Sequence, residues 1–225
     1  MSVKKLSTEL KYLGRAAKRA DSRERREAIL DAALRVIERE GVRGVRHRAV
    51  AKEAGVPLAA TTYYFEDIHA LLHDSFVHYI DRDKGNSKKL EQKGFSALQS
   101  FSPEQLMLPE IRKTLTKLMS GLLFDHLQEQ VAAVADRNIE AAFRHEAMRD
   151  ELLAKPVLQL HEAQITSLTE FFTLMGSPAP YSDARLIMGT MLYLEHDILL
   201  YSAKEYSWEE AKKTIQRLVE SLTRL

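Results

Sequence analysis

The sequence contains no cysteine, which removes disulfide staples, thiolate nucleophiles and thiolate metal sites from consideration. Proline and glycine are scarce, at 6 and 9 residues in 225, too few for a low-complexity or collagen-like chain. No apolar run approaches the roughly 18 residues of a membrane-spanning helix. The opening stretch MSVKKLSTELKYLG also lacks the apolar core of a signal peptide. A soluble, cytoplasmic protein without a membrane partner is the expectation. Sustained alternation of apolar and polar residues, the mark of half-buried strands, is missing, as is any repeat of fixed period. There is no glycine-rich phosphate loop and no nucleophile–base constellation. HEAQI at residues 161–165 lacks the second histidine of a zinc-binding HExxH. Neither an enzyme nor a metal or cofactor protein is expected.

The remaining composition, 45% hydrophobic and 29% charged, is that of an ordinary globular protein. Its net charge of +1 conceals a division along the chain. Residues 1–60 hold 15 Lys/Arg against 8 Asp/Glu, a balance of +7, and the rest holds 18 against 24, a balance of −6. A basic module suited to a polyanion, joined to an acidic module with another task, would give this asymmetry. A solvated basic tail would give it equally well.

Helical periodicity runs through most of the sequence. A first helix is expected from Asp21 or Ser22, either a good N-cap, with Ile29, Ala33 and Val36 or Ile37 on one stripe and Leu30 and Leu34 widening it. Gly41 should end it. A short second helix is expected over residues 46–54, with Ala49 and Val50 packing inward and Arg46, His47, Arg48 and Lys52 outward. Gly55 permits a tight turn, and Pro57 suits the first position of a third helix because its missing N–H is needless there. Asp67 caps a fourth carrying Leu71, Leu72, Phe76 and Ile80. Two short helices joined by a glycine turn, the second rich in Thr and Tyr, read as a helix-turn-helix.

These segments resemble the DNA-binding domain of the tetracycline-repressor (TetR) family of bacterial regulators. The likeness is carried by ILDAALRVIEREGVRGV, RHRAVAKEAGV, PLAATTYYF as recognition helix, and EDIHALL. The resemblance implies a homodimer, an N-terminal helix-turn-helix domain, and a divergent C-terminal helical domain that binds a small effector. Two positions depart from the family pattern. Thr62 stands where a backbone-contacting tyrosine is usual, and Ile68 where a lysine is usual, which removes two expected phosphate contacts.

A recognition helix must offer hydrogen bonds and methyl contacts to base edges in the major groove. PLAATTYYF supplies Leu58, Ala60, Thr61, Thr62, Tyr63 and Tyr64 as candidate DNA-contacting residues. The same spacing also permits Thr61, Tyr64 and Phe65 to face the core. The helix has no Arg, Asn or Gln, so the stronger base readers are Arg46 and His47 at the start of the second helix, with Arg48 on phosphate. Lys11, Arg15, Lys18, Arg19, Arg23, Arg25 and Arg26 form a basic stretch able to follow phosphates, to enter a minor groove, or to stay disordered and idle.

Residues 83–103 are polar and rich in Gly, Ser and Lys, as a linker or a loosely packed helix would be. Beyond them five or six helices are expected. They include residues 106–127, residues 128–146, a segment interrupted or started by Pro156 and stopped by Gly176, a strongly apolar helix capped by Ser182 or Asp183, and a last helix from Ser207. By the resemblance, the pair flanking GSPAP builds an intersubunit four-helix bundle, and Met188, Leu192 and Leu199 suit that role. Candidate effector contacts are Met119, Phe124, Phe143 and Met175 in an apolar pocket, with Glu195 and His196 as polar groups; a plain core and a polar interface edge are the competing readings.

The expected organisation is all-α: a basic extension (1–20), a three-helix helix-turn-helix DNA-binding domain (21–84), and a C-terminal helical-bundle ligand and dimerisation domain (85–225). The expected function is a homodimeric, ligand-responsive repressor on a palindromic operator, with double-stranded DNA, itself and a small-molecule effector as partners. The rival is a helical small-molecule- or metal-binding protein that has lost DNA binding.

Overall fold

The computed structural model describes residues 10–201 and 205–223, without the side chains of 83–88. The first nine residues of the basic extension lie outside it. The described residues form nine α-helices and two 3₁₀ turns, with no strand. In chain order they are α1 (Ala20–Glu40), a 3₁₀ turn (Val42–Gly44), α2 (His47–Ala54), α3 (Leu58–Tyr64), α4 (Ile68–Gln99), a second 3₁₀ turn (Gln105–Met107), α5 (Pro109–Ala132), α6 (Val134–Ala147), α7 (Glu151–Leu174), α8 (Pro180–Tyr201) and α9 (Trp208–Thr223).

The chain divides into two compact units that are not consecutive in sequence. Met1–Lys84 groups with Ala135–His161, and Gly85–Val134 with Glu162–Leu225. Residues 135–161 therefore depart from the linear division expected at 84/85. Ile139 and Phe143 of α6 and Leu153 of α7 complete the apolar core of the first unit. Phe143 packs at a tilt against Phe76 of α4 with ring centroids 4.8 Å apart, and Tyr79 donates to Glu140 at 3.3 Å.

In the first unit α1 buries Ile29, Leu30, Ala32, Ala33, Leu34, Val36 and Ile37, a stripe broad enough to be covered from several sides. It opens one residue before the expected Asp21. Arg19 is the N-cap and contributes no side-chain cap bond. Gly41 closes it at φ 71°, a backbone state a side chain would disfavour. Asp67 caps α4 as expected, its carboxylate accepting the Ala70 N–H at 2.7 Å. The polar stretch 83–103 is no linker through most of its length, because α4 continues unbroken to Gln99.

The second unit packs Leu98, Leu115, Met119, Leu127, Phe172, Met175, Ile187, Leu194, Ile198 and Ile215 into one core. Arg112 is buried there, and among the described residues no acid pairs with it. Its guanidinium donates to the carbonyls of Leu106 (2.9 Å), Thr223 (3.0 Å) and Met175 (3.1 Å), so one cation ties the second 3₁₀ turn to the C-terminal ends of α7 and α9 through backbone oxygens, which the helix dipole favours. Pro156 lies inside α7 instead of interrupting it. The helix α8 opens at Pro180, ahead of the expected Ser182 or Asp183 cap, because Ser177 Oγ accepts the Ala179 N–H at 3.0 Å.

Candidate nucleic-acid interface

The turn between α2 and α3 follows from two residues. Gly55 takes a left-handed conformation at φ 64° and ψ 29°. Val56 N–H then reaches back to the Ala51 carbonyl at 3.0 Å, the six-to-one bond of a Schellman close. Pro57 is extended and serves as N-cap, so α3 starts one residue later than expected. Val50 and Ala51 turn α2 into the core. On the surface, Glu53 accepts from Arg35 at 2.8 Å and from Arg39 at 3.4 Å, which clamps α2 against α1.

The candidate contact residues separate into two groups. Arg46 at the N-cap of α2 and Arg48 within it are exposed, as are Leu58, Thr62 and Tyr63 on α3, with Tyr63 53% accessible. Ala60 is half-buried against the core. His47 is half-buried, and its enclosed Nδ1 meets no hydrogen-bond partner among the described residues.

Thr61 and Tyr64 point the other way, which corrects their place among the DNA-facing candidates. Thr61 is fully buried, and its hydroxyl donates to the Leu58 carbonyl at 2.8 Å. Tyr64 is buried with its hydroxyl against Ser22 Oγ at 2.9 Å, and Phe65 beside it is fully enclosed. Helical rotation explains the division: with Thr61, Tyr64 and Phe65 facing the core, Thr62 and Tyr63 must face out.

The basic stretch divides as well. Arg26 is buried and ion-paired with Asp74, so it is withdrawn from any polyanion. Arg15 is exposed, and its guanidinium lies over the Tyr63 ring at 4.3 Å. Sequence reasoning singled out neither Asp74 nor Gly14, which fix this arrangement. The available signal was an acidic residue on the apolar face of LLHDSFVHYI, three positions after Leu71, where only a pairing partner makes burial tolerable.

The six effector candidates are not gathered at one site. Phe143 belongs to the core of the first unit, whereas Met119 and Met175 belong to that of the second. Phe124 packs edge-on against Trp208, centroids 6.1 Å apart. Glu195 is half-buried. His196 is exposed on an outward stripe of α8 with Leu186, Leu192, Tyr193 and Leu200. Met188 and Leu199, expected on that outer face, are half-buried.

Two short helices locked by a left-handed glycine turn, the first clamped to α1 and the second turning hydroxyl and aromatic groups outward, define a helix-turn-helix module. Residues 29–74 match the family model of the bacterial regulatory proteins of the tetR family. This segment is a TetR-family domain, and the chain has the TetR-like fold. A transcriptional regulator from Rhodococcus sp. Rha1 superposes with a TM-score of 0.64 at 19% identity, over 88% of this chain and 95% of its own. A TetR-family member from Streptomyces coelicolor A3 gives 0.55 at 22%, over 87% and 98%. The multidrug-binding protein EbrR in complex with proflavin gives 0.53 at 24%, over 86% and 99%. At these identities the likeness speaks for the fold. No curated protein matches the chain. Among the described residues no helix is long and apolar enough to cross a membrane.

Proposed function

We propose that the protein is a sequence-specific DNA-binding regulator that acts as a homodimer on a palindromic operator and is released by a small effector, as a repressor. One observation carries the DNA reading. Arg46, Arg48, Leu58, Thr62 and Tyr63 face solvent around a turn whose Val50, Ala51, Thr61 and Tyr64 are buried. In this reading α3 enters the major groove, Thr62 and the adjoining small residues meet base edges, Arg46 and His47 reach base edges beside them, and Arg48 and Tyr63 meet phosphates. With neither Arg, Asn nor Gln on α3, direct readout by that helix is modest, and groove shape contributes.

The dimer reading is supported by the outward stripe Leu186, Leu192, Tyr193 and Leu200 on α8, too apolar for a surface meant only for water. Two copies would set their recognition helices on half-sites one turn of the duplex apart, about 34–36 Å. The effector reading rests on EbrR, a protein of this fold that binds proflavin, and assigns the small molecule to the second unit. That molecule shifts DNA affinity only by its differential binding to the two states.

A salt titration of binding to a random-sequence duplex tests the central claim. Affinity should fall steeply as salt rises, and Arg48→Ala should flatten the slope by about one phosphate contact per subunit. Tyr63→Ala should in addition blunt preference for a selected operator over random DNA. A flat slope for the wild-type protein would refute DNA binding.

A further inference from the structure

Residues 12–15 do not trail from the domain; they are fastened to it. The Asp74 carboxylate, fully buried in α4, accepts the Leu13 N–H at 2.7 Å and the Gly14 N–H at 2.9 Å. Arg15 N–H donates to the Tyr64 carbonyl at 2.8 Å. Tyr12 hydroxyl donates to Asp81 at 2.8 Å, and its ring lies under the Arg26 guanidinium at 4.6 Å. Gly14 is seated so closely that a Cβ there would stand 2.8 Å from Tyr64 O, 2.8 Å from Phe65 Cδ1 and 2.9 Å from Asp74 Oδ2. Only a residue without a side chain fits.

This seat decides where the next side chain goes. Arg15 comes to lie over the exposed ring of Tyr63, which is braced edge-on by Tyr64 with centroids 5.1 Å apart. Among the described residues no carboxylate or carbonyl accepts from the Arg15 guanidinium. A guanidinium held by its face against an aromatic ring keeps its in-plane N–H groups free, and these suit a phosphate bidentately. Stacking also removes rotamer freedom before a ligand arrives, so less entropy is lost on contact.

We infer that the docked N-terminal arm is part of the DNA-binding surface: Gly14 and Asp74 act as positioning residues that hold Arg15 over Tyr63, and this pair grips one backbone phosphate beside the recognition helix. The inference rests on the DNA-binding reading.

The test uses the full-length protein, a fluorescent random-sequence duplex and a salt series. Arg15→Ala should lower the slope of log affinity against log salt by about one per subunit. Gly14→Ala, which unseats the arm, should lower it by the same amount, and the double variant by no more than either. A slope equal to wild type in Arg15→Ala, beside a reduced slope in Arg48→Ala, overturns the arm contact and leaves DNA binding standing. A reduced slope in Arg15→Ala with an unchanged slope in Gly14→Ala overturns the positioning role. A flat wild-type slope removes both this inference and the DNA reading beneath it.

Discussion

Arg26 and Asp74 form a buried ion pair between α1 and α4, and the carboxylate of that pair simultaneously receives two backbone N–H groups of the N-terminal arm. One acid thus joins two helices and a chain segment some 60 positions away in sequence. Its lone pairs are well used, which is the condition under which a buried charge is tolerated.

Removing one member should therefore cost far more than removing an exposed pair. Asp74→Ala leaves a buried guanidinium and two amides without an acceptor, and should destabilise the protein by about 3–5 kcal/mol. Urea denaturation monitored by circular dichroism gives the value. Replacing both partners by apolar residues, Arg26→Met with Asp74→Leu, should recover part of the loss while leaving the arm undocked. A loss under about 1 kcal/mol for Asp74→Ala would contradict the assignment of this pair as a core fastening.

Thr61 and Thr62 are neighbours with opposite duties. Thr61→Ala empties a fully enclosed position and leaves the Leu58 carbonyl without its extra donor. It should cost about 1–2 kcal/mol of stability with an unchanged salt slope for DNA. Thr62→Ala should leave the melting temperature almost unaltered and change operator preference instead. Thermal melts and competition binding on the two variants separate these outcomes, and a reversed pattern would mean that α3 is rotated from the orientation described.

Leu192 and Leu200 lie on the outward stripe of α8, the latter 72% accessible. If the stripe is the homodimer surface, Leu192→Glu with Leu200→Glu should raise the dimer dissociation constant by roughly a hundredfold or more, since each buried leucine contributes about 2–3 kcal/mol. Sedimentation equilibrium measures this directly. The monomer itself should melt no lower than wild-type monomer, because neither leucine contributes to the core.

The Glu53 carboxyl is held below its ordinary value of 4.5, chiefly by the hydrogen bond from Arg35, which with the charge of Arg39 outweighs the opposing effect of desolvation. A depressed folded-state value means that the clamp stabilises above the unfolded value and that this gain fades as pH falls through the folded one. Glu53→Gln should lower the melting temperature at pH 7. The gap to wild type should close as pH falls below the ordinary carboxylate value and through the depressed folded-state one. A gap that persists at low pH would show that packing, not ionisation, accounts for the effect.

Much of the helix-turn-helix is legible along the chain because its determinants are local. Gly41 and Gly55 mark stops that only a left-handed backbone satisfies, Asp67 marks a cap, and Ile29, Ala33 and Ile37 recur at the helical period. The composition of residues 83–99 left linker and loosely packed helix both open. Helix is rewarded at the far end of α4 by the core that Leu98 enters, whose other members, such as Phe171, are distant in sequence. Pro156 misled for a similar reason, since tertiary packing tolerates a proline that local propensity would place at a boundary.

What the sequence determined by itself is which segments coil, where they stop, and that the third short helix carries hydroxyls and aromatics beside a basic flank. Those are properties of residues within a few positions of one another, set by backbone sterics and period. The tertiary structure alone decided which neighbour of a pair faces inward, as with Thr61 against Thr62 and Tyr64 against Tyr63. It also placed Phe143 in the core of the first unit and made Asp74 the seat of the N-terminal arm. These outcomes depend on which distant surface covers each face, and burying a polar group or a ring is settled only when that partner is in place.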